Sequence, residues 1–152
     1  FLPEKIKNKW TNQIKMIESR DNSERKEYSD WGKSMTGFMN KKGIKFMAGT
    51  DTPIGFLTPG YSLHDELEML VESGLTPLEV IESATHNPAL YFEMEKELGL
   101  IEEGYIADLI ILYDNPLKNI SNTKKIKSVI KNGNLMSRNH LDSLLNEQKK
   151  IK

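Results

Sequence analysis

Cysteine is absent from the 152 residues, which excludes disulfides, thiolate metal sites and cysteine nucleophiles. No apolar run approaches the roughly 20 residues that a membrane-crossing helix needs. The most apolar stretch, Leu109-Ile110-Ile111-Leu112, is short and follows Asp108. An excess of charge of either sign is also missing: 21 basic residues stand against 22 acidic ones, a formal net charge of −1. That balance gives no electrostatic reason to expect nucleic acid or an anionic membrane as a partner. Two basic clusters, Lys124-Lys125-Ile126-Lys127 and Lys149-Lys150-Ile151-Lys152, read as solvated surface. No signal peptide is visible. The chain opens on Phe1-Leu2-Pro3 without an initiator methionine, which leaves room for an upstream segment. The expectation is a soluble chain, cytoplasmic or exported.

What is present suits a globular fold. Hydrophobic residues make up 38% and charged residues 28%, enough apolar surface for a core in one domain or in parts of two. Residues 4–41 read as helical. Ile6, Trp10, Ile14 and Ile17 fall on one face, and Trp31, Met35, Phe38 and Met39 form a second apolar stripe assigned to core packing. The charged stretch 18–30 between them is a loop or an exposed helix surface. Gly43 ends the helical pattern, and residues 44–48 (Ile-Lys-Phe-Met-Ala) read as a short buried strand. The following loop carries Pro53, Gly55, Pro59 and Gly60 and is irregular.

Ser62 is placed to cap a helix whose apolar face is Leu63, Leu67, Leu70 and Val71, and Gly74 ends it. Thr76-Pro77-Leu78-Glu79 has the form of a capping box with proline at the first helical position, opening a helix to about residue 85. Asn87-Pro88 signals a further helix, which Gly99 stops. Beyond residue 100 the pattern turns to short strands at 100–101, 105–106, 109–113 and 126–130, with Asn132-Gly133 as a hairpin turn. Leu141, Leu144 and Leu145 suggest a terminal helix.

The chemistry centres on Asp51. A carboxylate at the C-terminal end of a buried strand, after Gly49-Thr50 and before a proline-bearing loop, sits where α/β folds place active sites. There it can bind a divalent metal or take a proton from a metal-activated water. It can equally cap the next turn. Of the histidines, His64 opens the helix after this loop and is a candidate for the substrate pocket or for a surface position. His86 reads as a capping or surface residue, and His140 as an exposed tail residue.

Taken in order, Gly43-Ile44-Lys45-Phe46-Met47-Ala48-Gly49-Thr50-Asp51, Leu63-His64-Asp65-Glu66-Leu67, Gly74-Leu75-Thr76-Pro77, Ala84-Thr85-His86-Asn87-Pro88-Ala89 and Gly99-Leu100-Ile101-Glu102-Glu103-Gly104-Tyr105-Ile106-Ala107-Asp108-Leu109 form a pattern. It resembles the C-terminal portion of the amidohydrolase superfamily, most closely its imidazolonepropionase- and prolidase-like metal-dependent hydrolases. The resemblance runs strongly over 43–134, weakly over 1–42, and is absent over 135–152. It implies an α/β fold: the C-terminal part of a (β/α)8 TIM-like barrel in residues 1–98, strands of the accompanying small β-sandwich in 99–135, and a terminal helix or tail in 136–152.

The resemblance also implies a role for Asp51 as the catalytic aspartate that binds the metal and acts as general base, with His64 as a substrate contact. It implies a divalent metal, zinc by preference, in an intact parent that cleaves C–N bonds in an amide, cyclic amide or dipeptide. The family's His-x-His pair does not occur here, so this chain alone is expected neither to hold the metal nor to be active. Its expected partners are a small-molecule amide or peptide substrate in the parent, and either itself or the missing N-terminal portion. The rival reading is a non-catalytic α/β module that serves only in assembly.

Overall fold

A computed structural model describes residues 3–19, 23–52 and 55–150. Its first half is helical: α1 (Glu4–Glu18), α2 (Ser23–Lys41), α3 (Ser62–Glu72), α4 (Pro77–Ser83) and α5 (His86–Tyr91). A three-stranded antiparallel sheet follows in the order β1 (Leu109–Leu112), β2 (Ile126–Lys131), β3 (Asn134–Ser137). A 3-10 helix (Ile120–Lys124) lies between β1 and β2, and α6 (Arg138–Lys150) closes the described chain. None of these helices is long and apolar enough to cross a membrane.

The core sits under α3. Leu67, Leu70, Leu75, Val80 and Ile120 are buried together, with Phe46, Ala48, Leu63, Val71, Ile81 and Ala84 packed partly against them. The apolar stripe of α3 therefore does what its spacing predicts, and Val80 brings α4 onto the same cluster with no exposed surface. Fully burying a leucine or valine contributes about 1.5–3 kcal/mol relative to leaving it in water, so this small set is the main source of cohesion. Gly74 adopts φ +104 after α3 and gives its N–H to the Val71 carbonyl at 2.9 Å.

Two helix starts differ in how they are satisfied. At α4 the capping box is complete. The Glu79 N–H donates to Thr76 Oγ1 at 3.3 Å, and the Thr76 N–H donates to Glu79 Oε2 at 2.7 Å. The bond from the Thr76 amide, more than any other contact, holds the Glu79 carboxyl below its ordinary value. Its stabilising effect is therefore present above the usual carboxylate range and is lost as the pH falls through that lowered value. Thr76→Ala is expected to cost about 1 kcal/mol, read as a lower urea midpoint with an unchanged slope. At α3 the cap position belongs to Tyr61, and Ser62 is the first helical residue instead. Its Oγ accepts from the Thr58 N–H at 2.8 Å, so it fastens the incoming loop and leaves the helix end uncapped by a side chain.

The hairpin forms where Asn132-Gly133 places it. Both residues have positive φ, +49 and +77, as a two-residue turn of this hand requires, and Lys131 pairs with Asn134 across it. Asp108 holds the turn from the side. It accepts from the Asn132 N–H at 2.7 Å and pairs with Lys131.

Several expectations are corrected. The face Ile6–Trp10–Ile14–Ile17 exists, but α1 buries no residue; Trp10 rests on Phe56, ring centres 5.5 Å apart. Trp31 and Phe38 are more than half exposed, while Met35 and Met39 of the same stripe are half-buried, so its aromatics are not core. Periodicity marks an apolar face without supplying the layer that covers it. Helix α5 begins at His86, with Thr85 at its cap position, and stops at Phe92, well before Gly99. Residues 100–106 form no strand, because they fold onto their own loop: the Ile106 N–H donates to the Glu97 carbonyl and the Tyr105 hydroxyl to the Glu95 carbonyl. Gly99 lies so close to α5 that a Cβ there would stand 2.9 Å from the Ala89 Cβ.

Candidate functional site

Residues 44–50 carry no strand, contrary to the sequence expectation. The segment keeps one mark of a strand: Phe46, Ala48 and Thr50 are half-buried while Lys45, Met47 and Gly49 are exposed. Such alternation is the period of extended chain with one covered face. Its covered face meets the α3–α4 core, but no strand among the described residues lies alongside it, and a strand is defined by its neighbours. The Ile44 N–H donates to the Met39 carbonyl of α2 at 3.2 Å, and two further bonds to the helical layer hold the segment. The Ala48 N–H donates to the Ser83 carbonyl at 2.9 Å, and Asn87 Nδ2 donates to the Phe46 carbonyl at 2.9 Å.

Asp51 ends this segment with an exposed side chain and φ +54. Left-handed backbone disfavours most side chains, and aspartate and asparagine are among those that accept it. Beside it the hydroxyls of Thr50 and Thr52 stand 2.6 Å apart. Among the described residues the Asp51 carboxylate has no hydrogen-bond or ion-pair partner. Pro53 of the following loop lies outside the described residues.

His64 is half-buried on α3 and belongs to a different cluster. Its Nδ1 lies 3.0 Å from Thr123 Oγ1, whose own hydroxyl donates to the Ile120 carbonyl at 2.8 Å. Because that hydroxyl hydrogen is already committed, the proton of this contact belongs to His64 Nδ1. In the neutral ring Nε2 is then the acceptor. Burial, followed by the positive charge of Lys124, keeps the His64 pKa below its ordinary value. Lys124 itself bridges Asp65 at 2.9 Å and Glu68 at 3.0 Å. No hydrogen bond joins His64 to Asp51. His86 is half-buried at the start of α5, where its Nδ1 is buried with no hydrogen-bond partner among the described residues, and the cap position belongs to Thr85. His140 lies exposed on α6.

No group of three or more histidine or acidic side chains that could hold a metal ion gathers among the described residues. One carboxylate does not fit such a site by itself, since a divalent ion of the zinc type takes three or four protein ligands. Two features escaped the sequence reading. Lys124, read only as part of a basic run, and Thr123, which the sequence reading did not single out, turn out to anchor α3. Asn87, read as a helix-start signal, spends its amide on Phe46; the available hint was a polar side chain flanked by Ala84 and Ala89.

Comparison with known proteins gives this geometry its context. Residues 33–136 match the amidohydrolase family. The chain belongs to that family. Over 91 residues, 59% of its length, this amidohydrolase chain is 41% identical to ochratoxinase of Aspergillus niger, of which the match covers 18%. Over 122 residues, 78% of its length, it is 34% identical to an adenine deaminase of Clostridium botulinum, of which the match covers 19%. In structure it is similar to a Xaa-Pro dipeptidase with methionine bound in the active site. There the TM-score is 0.63 and the identity 34%, over 69% of this chain and 25% of that one. The amidohydrolase chain thus spans about a fifth of the length of the curated relatives it matches.

Proposed function

We propose that this chain is the C-terminal part of a metal-dependent amidohydrolase that cleaves C–N bonds in an amide, cyclic amide or dipeptide with an activated water. On this reading residues 1–98 complete a (β/α)8 barrel, 99–135 contribute strands to a small β-sandwich, and 136–152 form a terminal helix. The observation that carries it is the placement of Asp51. An exposed carboxylate with no partner among the described residues ends a half-covered apolar segment, in a chain whose relatives are named for hydrolytic and deaminating activities. Asp51 takes the proton of the attacking water, a role that suits an exposed carboxylate at the end of such a segment. Any divalent metal, zinc by preference, would need ligands from outside this chain. His64 offers Nε2 as a hydrogen-bond acceptor to the substrate.

A second reading, a non-catalytic assembly module, draws on the apolar side chains that face water. Ile110 on β1 is 60% exposed and Leu135 on β3 67%, a surface that favours association with a second copy or with preceding parts of a longer protein. One set of measurements separates the two. The chain as given and the full-length protein are each incubated with Zn²⁺ or Mn²⁺ and a panel of dipeptides and N-acyl amino acids, and sized by light scattering across a dilution series. The expected result is turnover by the full-length protein alone, and concentration-dependent association of the chain. Absence of turnover in both, with association intact, would favour the assembly module.

A further inference from the structure

The segment that ends at Asp51 is tied to the rest of the molecule along one edge. The Phe46 carbonyl accepts from Asn87 Nδ2 and the Ala48 N–H donates to the Ser83 carbonyl, both at 2.9 Å. A carbonyl and the N–H two residues later are the pair that a parallel neighbour would engage. Here a helix-end carbonyl and a side-chain amide take the neighbour's place. The Ser83 carbonyl lies in the last turn of α4, where carbonyls lack an intrahelical partner.

Both anchors are buried. Ser83 is 1% exposed and its hydroxyl donates to the Val80 carbonyl at 2.7 Å, while Asn87 is 8% exposed on α5. From Ala48 to Asp51 the chain runs at most about 10 Å. Over residues 49–52 the contact between the Thr50 and Thr52 hydroxyls is the hydrogen bond found among the described residues. Among the described residues, the bonds nearest to Asp51 that tie its segment to the helical layer are those at Phe46 and Ala48.

We propose that Asn87 is a positioning residue for Asp51: its buried amide fixes the register of residues 46–48 against α4 and α5, and through them the place of the carboxylate. This rests on the role given to Asp51 above. Burial makes the bond costly to lose, because removing one partner leaves the other's polar group unsatisfied in a dry setting. Asn87→Asp keeps the size of the side chain but turns an oxygen toward the Phe46 carbonyl in place of the N–H, and Asn87→Ala removes the donor. Ser83 contributes through its backbone, so the tie can be tested by substitution only at Asn87.

The test compares full-length unaltered protein, Asn87→Ala, Asn87→Asp and, as a core-loosening control, Ile120→Val, all well below their melting temperatures. Hydrogen–deuterium exchange of the peptide covering 44–52 should accelerate about tenfold or more in both Asn87 variants and stay unchanged in Ile120→Val. In the same variants kcat should fall about 10- to 100-fold, the range seen when a group supporting a ligating or reacting residue is removed, with KM within about twofold. Unchanged exchange at 44–52 would overturn the tie. Accelerated exchange with kcat like that of Ile120→Val would overturn the positioning role. Should Asn87→Asp fail to fold, Asn87→Ser serves in its place. If the unaltered protein turns over no substrate, it is the reading of Asp51 that fails, and the exchange measurement still decides whether Asn87 holds the segment.

Discussion

Asp51→Asn in the full-length protein should lower kcat by about 10²–10⁴-fold, the usual contribution of a positioned general base, while the melting temperature stays within a degree or so. The two halves of this expectation come from separate features of the residue. The carboxylate is exposed and has no partner among the described residues, so removing its charge breaks no bond found among them. The backbone is left-handed at φ +54, and asparagine accepts that conformation as readily as aspartate does. Asp51→Ala would confuse the two effects, because alanine pays for left-handed backbone with roughly 1–2 kcal/mol of strain. The pairing of steady-state kinetics with thermal unfolding is therefore specific to the asparagine variant. An unchanged kcat would remove Asp51 from the chemistry; a large drop in melting temperature would mean that its carboxylate is structural after all.

Gly37→Ala should destabilise the fold by roughly 2 kcal/mol or more, in the range of overpacked cores. Gly37 is the buried residue of α2, and a Cβ built on it would stand 2.1 Å from the backbone carbonyl oxygen of Ser73, just past the end of α3. That oxygen cannot rotate away as a side chain could. The helices must separate, which would pull on the neighbouring ties of Lys33 to Glu72 and of Asn40 Nδ2 to Glu79 Oε1 at 3.3 Å. Gly32, one and a half turns earlier on the same helix, provides the internal control, since a Cβ there meets nothing within 4 Å. Gly32→Ala should gain up to about 1 kcal/mol from helix propensity alone. Chemical denaturation of the two variants should give shifts of opposite sign; shifts of the same sign would contradict the close approach of α2 to α3.

The features legible in the sequence are those decided by neighbours along the chain. The capping box at Thr76 and Glu79, the turn at Asn132-Gly133 and the stripe of α3 are each settled within a few residues, and each is present as read. The features that misled depend on what lies across space. Residues 44–48 have the composition of a buried strand, but a strand exists by pairing, and no described strand flanks them. Trp31 and Phe38 have core-like spacing and face outward, since spacing cannot say what stands opposite. The same limit applies to the site. The position of Asp51 after an apolar run was readable because it is a local fact. The amide that Asn87 sends to Phe46, 41 residues away in sequence, was not, because Asn-Pro is also an ordinary way to begin a helix.

The 3-10 helix between β1 and β2 engages α3 in chemically distinct ways. Ile120 is buried beside Leu67 and Leu70, Thr123 Oγ1 accepts a hydrogen bond from His64 Nδ1, and Lys124 spans Asp65 and Glu68. The connection between two strands of the sheet is thus also a wall of the helical core. The hairpin cannot peel away as a separate piece without opening that core to water, so helices and sheet should melt in one transition. The change from helix to strand near residue 99 is a change of architecture with no thermodynamic seam beneath it. A protease acting in the loop around residue 103 would leave two nicked halves still clasped together, released from each other only when the whole assembly unfolds.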